Sequence, residues 1–85
     1  MTKNIKIGIP TGLEARPLAV LVQVASQYES SIYIEVGTKK INAKSIMGMM
    51  TLALKADEEV KVSAQGEDEV AALEHIEKYL SGKEQ

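Results

Sequence analysis

Cysteine is missing from this 85-residue chain, and so are tryptophan and phenylalanine. Without a thiol there is neither a disulfide framework nor a thiolate metal site. Three tyrosines are the only aromatic residues, so the core must be built from aliphatic side chains and methionine. A sheet that stacks nucleic-acid bases needs aromatics on its strands, and only Tyr33 sits on a candidate strand. An excess of one charge is lacking too: the net charge is -2, which argues against nucleic-acid binding through bulk charge. No apolar run approaches a membrane span, and no secretory-signal pattern opens the chain. The expectation is a cytoplasmic protein with no membrane or direct nucleic-acid partner. No glycine-rich phosphate loop is present, and no nucleophile has a candidate base at a recognisable spacing. Neither enzyme activity nor a cofactor or metal is expected. The length suits one domain, 1–85, with a thin core.

What is present is periodic. Ile5, Ile7 and Ile9 alternate with Lys6 and Gly8, a half-buried strand closed by Pro10. Thr11-Gly12 turns the chain, and Pro17 suits the first turn of a helix, where no N–H is needed. Leu18, Leu21, Val22 and Ala25 then recur at helical spacing, ending near Tyr28. Ile32, Ile34 and Val36 mark a second strand; Gly37-Thr38 turns into a third, Lys39 to Asn42. A short helix carrying Ile46, Met49, Met50 and Leu52 follows Ser45. Val60, Val62 and Ala64 mark a fourth strand, preceded by Asp57-Glu58-Glu59 as a loop or strand entry. Acids in Gly66-Glu67-Asp68-Glu69 open a last helix, with Val70, Leu73, Ile76 and Leu80 as its buried face and Gly82 as its stop. The order β-α-β-β-α-β-α predicts an α+β fold, one sheet with helices on one face. Strand order stays open, and a split βαβ arrangement shares much of this element sequence.

Three places invite chemistry. Ser45 stands where a strand ends and a helix begins. Its hydroxyl suits a helix N-cap. A phosphoryl group there would meet backbone N–H groups and the positive end of the helix dipole. Met47, Met49 and Met50 either fill the core, or Ile46, Met47 and Met50 line a partly exposed patch of the kind that marks partner sites. Glu14 and Arg16 flank the start of the first helix. They make either a surface ion pair or an anion-handling site that Glu14 weakens. His75, the only histidine, lies among Glu74, Glu77 and Lys78 and reads as solvated and structural. The acid clusters lack metal-loop spacing and read as solvated.

Two segments taken together resemble a family. Gly12-Leu13-Glu14-Ala15-Arg16-Pro17 is similar to the active-site loop of HPr, the phosphocarrier of the bacterial sugar phosphotransferase system. Lys44-Ser45-Ile46-Met47-Gly48 is similar to its regulatory serine site. The likeness runs from end to end, including Val20-Leu21-Val22-Gln23 and the closing helix, and both motifs fall in order on a matching element pattern. One departure bears on function. HPr carries a histidine where this chain has Glu14, and that imidazole relays a phosphoryl group from Enzyme I to sugar-specific proteins. The pattern of a lost histidine and a retained serine resembles the catabolite-repression branch of the family, Crh. The stretches Asn42 to Gly48 and Ala64 to Glu69 look closer to that branch. Crh has glutamine at the matching position, so Glu14 departs from it as well.

The resemblance implies an open-faced β-sandwich, a four-stranded antiparallel sheet with three helices on one face. It implies phosphorylation of Ser45 by HPr kinase/phosphorylase and corepressor action on catabolite control protein A, a LacI-type regulator. Partner contacts would come from Glu14, Arg16, Ile46, Met47 and Met50. Two other readings stay open. One is a phosphocarrier altered at its active-site histidine. The other is a small interaction domain with no phosphorylation. The chain is expected as a monomer or a strand-exchanged dimer.

Overall fold

Alternation of apolar and polar residues in the strands builds a sheet with one wet and one dry side. A computed structural model describes residues 1–10, 12, 15–52 and 54–82. In chain order the elements are β1 (Thr2–Lys6), α1 (Ala15–Ser26), β2 (Ser31–Val36), β3 (Lys39–Asn42), α2 (Ile46–Met49), β4 (Glu59–Gln65) and α3 (Glu69–Leu80). The four strands form one sheet in the order β1-β4-β2-β3, antiparallel throughout. Ile5 stands opposite Val60, Ile34 opposite Val62 and Ile32 opposite Ala64. All six are buried, under the three helices. Full burial of one such aliphatic side chain contributes about 1.5–3 kcal/mol. The other side of the sheet is polar and open. Thr2, Ser63, Tyr33 and Asn42 lie in one row across it, and Asn4, Lys61, Glu35 and Lys40 in the next. The Lys40 ammonium sits 5.0 Å from the centre of the Tyr33 ring. The expected α+β, open-faced architecture is what the chain adopts.

Several local expectations need correction. The first strand stops at Lys6, although Ile7 and Ile9 are buried as their spacing predicts. Ile7 still exchanges backbone bonds with the segment before β4, to Glu58 and from Asp57. Gly8 then turns its N–H to the Leu80 carbonyl at the end of α3 (2.7 Å), which takes the chain off the sheet. A side chain at Gly8 would meet the Ser81 carbonyl oxygen at 2.1 Å, so this close approach requires glycine. The helix expected to reach Tyr28 closes at Ser26, but Gln27 and Tyr28 keep turn-type bonds to Val24 and Ala25. Val70 was expected in the core and is instead 51% exposed. It lies in the first turn of α3 beside an open cleft with Met1, Thr2 and Lys3, where no further layer covers it. Ala72, Leu73, Ile76 and Leu80 form the buried face. Gly82 follows the C-cap at φ +80°, as the helix-stop reading expects.

The acid cluster before α3 does more than face solvent. The half-buried Asp68 carboxylate accepts the backbone N–H groups of Glu29 (2.8 Å) and Ser30 (2.9 Å), and also the Ser30 hydroxyl. It thereby pins the α1–β2 connection to the start of α3. The Ser30 hydroxyl, followed by the Glu29 N–H, holds the Asp68 carboxyl below the usual carboxylate range. His75 is likewise not simply solvated. It is half-buried, with its Nδ1 2.7 Å from the Tyr28 hydroxyl and the two rings edge to face.

Candidate functional site

Asn42 sets up the serine segment. Its side-chain oxygen accepts the Lys44 N–H (2.9 Å) and its carbonyl accepts the Ser45 N–H (3.0 Å), bending the chain off β3. Ser45 is in extended conformation at the N-cap of α2, and its Oγ accepts the Gly48 N–H at 3.2 Å. Its carbonyl accepts the Met49 N–H (2.9 Å), which starts the helix. Helix α2 is a single turn, so the dipole argument for an anion at Ser45 is weaker than the sequence suggests. What remains is the local set of first-turn N–H groups. Gly48 keeps the hydroxyl uncrowded: a Cβ there would lie 3.3 Å from Ser45 Oγ and 3.1 Å from an Ile41 methyl.

The oily run divides into two roles. Met49 is fully buried and anchors α2 to the core, with Leu52 buried just beyond it. Ile46 (41% exposed), Met47 (81%) and Met50 (62%) face solvent around the serine. Met50 is the C-cap of α2 rather than part of it. Of the two readings open for the methionines, core filling holds for Met49 and an exposed patch for Met47 and Met50.

Helix α1 packs against α2. Arg16, in the first turn of α1, is exposed, and among the described residues its guanidinium has no hydrogen-bond or ion-pair partner. Val20, one turn further, is also exposed. Glu14, Leu13 and Thr11 lie outside the described residues, so the expected Glu14–Arg16 pairing and the role given to Glu14 have no geometry. Gly12 carries the expected turn, at φ +74° with its N–H donating to the Ile9 carbonyl (2.8 Å).

Sequence reasoning missed Lys44. Its ammonium donates to the Tyr28 carbonyl at 2.6 Å and ties the serine segment to the end of α1. The Asn42-x-Lys44 spacing signals only the Asx-type turn at the Lys44 backbone; the ammonium's partner lies 16 residues away and has no local signal.

The open-faced sheet, its three helices and a serine cap beside exposed methionines define a class of small α+β proteins. The chain belongs to the HPr family: the model described as "PTS HPr component phosphorylation site" matches residues 1–81. Members of this family are phosphocarrier or regulatory proteins, not enzymes. Among its relatives, the HPr-like protein Crh of Bacillus subtilis is 46% identical over 78 residues, 92% of each chain. The crystal structure of the phosphocarrier protein HPr from Bacillus anthracis superposes with a TM-score of 0.90 at 38% identity, covering 94% of this chain and 95% of that one. A crystal structure of Bacillus subtilis Crh, described as a swapped dimer, superposes with a TM-score of 0.78 at 46% identity, covering 93% and 91%. No described helix is long and apolar enough to cross a membrane.

Proposed function

We propose that this chain is a cytoplasmic regulator of carbon catabolite repression, phosphorylated on Ser45 by HPr kinase/phosphorylase. In that form it acts as corepressor of catabolite control protein A. The observation that carries the reading is the Ser45 hydroxyl set at the edge of exposed Ile46, Met47 and Met50, in a chain 46% identical to a Crh protein. Phosphorylation replaces a neutral cap by about -2 charge with three acceptor oxygens. A basic pocket on the regulator takes that charge through charge-assisted hydrogen bonds. The patch supplies apolar contact area, and Arg16 offers an exposed guanidinium. Preferential binding to the DNA-competent state shifts the regulator toward it.

Glu14 in place of the family's histidine removes the imidazole that the phosphotransfer relay uses. Its fixed negative charge acts against partners that require a neutral imidazole. Glu14→Gln with unchanged affinity for every partner removes that role. The test of the main reading is intact-mass spectrometry after incubation with HPr kinase/phosphorylase and ATP. One added phosphate, absent in Ser45→Ala, is the expected result. No phosphate on a folded protein overturns the reading.

The close superposition on a phosphocarrier HPr favours a second reading, phosphoryl transfer through Glu14. Incubation with phosphoenolpyruvate and Enzyme I decides it, since label on the protein supports a carrier and its absence excludes one. The swapped dimer described for Crh suggests that β1, an edge strand, exchanges between two copies here also. Light scattering across a concentration series distinguishes monomer from dimer.

A further inference from the structure

The chain holds four methionines and no cysteine, and three of the four lie within residues 47–50. Methionine is therefore its only sulfur, with no thiol to compete for an oxidant. The three differ sharply in access: Met47 is 81% exposed, Met50 62% and Met49 0%. Thioether oxidation follows exposure, and it converts a flexible apolar side chain into a polar one that reductases can restore. Here the exposed sulfurs flank the Ser45 cap, while the buried one holds α2 to the core.

We propose that Met47 and Met50 form a reversible sulfoxidation site, through which peroxides erase the apolar surface beside Ser45 and leave the fold intact. Its consequence for partner docking rests on the function proposed above. The chemistry is a two-electron oxygen transfer from hydrogen peroxide. A sulfur lone pair attacks one peroxide oxygen, the O–O bond breaks as the S–O bond forms, and the proton passes to the departing hydroxide. Thioether and peroxide thus become sulfoxide and water. Each event adds one oxygen at the surface and leaves the Met49 anchor in place.

The fourth methionine serves as an internal control. Met1 is also exposed, but it lies next to β1, at the opposite edge of the sheet from β3, against which α2 packs. Its oxidation leaves the surface at Ser45 unchanged.

The experiment exposes the full-length protein to dilute hydrogen peroxide and maps oxidised peptides over time. Retention on a hydrophobic-interaction column and the thermal midpoint are followed in parallel. The expected result is oxidation of Met47 and Met50 at least about tenfold faster than Met49. Retention shortens, the thermal midpoint holds, and methionine sulfoxide reductases reverse the change. Met1→Leu removes the control sulfur, and that variant should lose retention after peroxide as the parent does. Adding Met47→Leu and Met50→Leu to it, whatever the triple variant's own retention, should leave that retention unchanged by peroxide. Oxidation of Met49 at the rate of its neighbours, or unchanged retention of the oxidised parent, overturns the proposal.

Binding of the Ser45-phosphorylated protein to catabolite control protein A is then compared before and after peroxide. A loss of at least about tenfold in affinity is expected. Equal affinity overturns the regulatory consequence. A phosphoprotein that fails to bind before any oxidation instead overturns the corepressor reading, while the mapping and retention results still decide the sulfoxidation site.

Discussion

Ser45 is a helix cap and, under the proposed function, a phosphoryl acceptor, and the two roles make separable predictions. As an N-cap it accepts the Gly48 N–H, so Ser45→Ala should lower stability by about 0.5–1 kcal/mol in urea unfolding. The same substitution should abolish kinase labelling completely, a loss far larger than the stability change accounts for. Asp68 gives a pH prediction. Donors from Ser30 and Glu29 hold its carboxyl below the usual range, so the folded protein binds that proton less tightly than the unfolded chain. The stabilisation is fully present above the unfolded carboxylate pKa and is lost as pH falls through the depressed folded value. Asp68→Asn should lower stability at neutral pH and flatten the acid side of the stability profile below about pH 4. Unfolding curves collected across a pH series check both statements. The Glu67 to Glu69 run looked like a solvated helix start because dipole complementarity alone explains acids there. Only the approach of the Glu29-Ser30 backbone from elsewhere in the chain turns Asp68 into a clamp.

Among the elements, α2 is the one whose identity depends on context. A single turn cannot hold itself together, because helix nucleation is unfavourable. Met49, seated in the core, supplies what its length cannot. Met49→Ala should destabilise by about 2–4 kcal/mol, while Met47→Ala should stay within about 0.5 kcal/mol. Thermal or urea unfolding of the two variants side by side measures the contrast. Methionines two positions apart and of identical chemistry thus differ through which way one helical turn faces. The strands were far more legible, since period-two alternation in Ile32-Ile34 and Val60-Val62 separates the two sheet faces directly. Val70 shows where periodicity fails. It shares the apolar character of Leu73 and Ile76, but the layer that would cover it ends before its turn.

At the level of the whole molecule, the segment that follows β1 meets the end of α3 at a contact tight enough to test. Gly8 N–H donates to Leu80, and a Cβ at Gly8 would collide with the Ser81 carbonyl. Gly8→Ala should therefore cost about 1–3 kcal/mol through backbone displacement, measurable as a fall in the urea midpoint with an unchanged slope. A second long-range tie runs between the helices, where the Tyr79 hydroxyl donates to the Pro17 carbonyl (3.1 Å). Burial pushes the Tyr79 phenol above its usual range.

The sequence by itself determined the element order, the α+β class, the inward-facing residues of β1, β2 and β4 and the serine with its oily neighbours. These are local: alternation, helical spacing and capping chemistry act over a few residues and are written in the chain. It also carried the family resemblance, in the Gly12 to Pro17 and Lys44 to Gly48 segments. Only the tertiary structure decided the strand order β1-β4-β2-β3, the end of β1 at Lys6, the Asp68 clamp, the Tyr28–His75 contact and the division of Met47, Met49 and Met50 between surface and core. Each of those depends on groups that are distant along the chain and adjacent in space. Hydrogen-bond satisfaction and burial are settled only when the partner arrives.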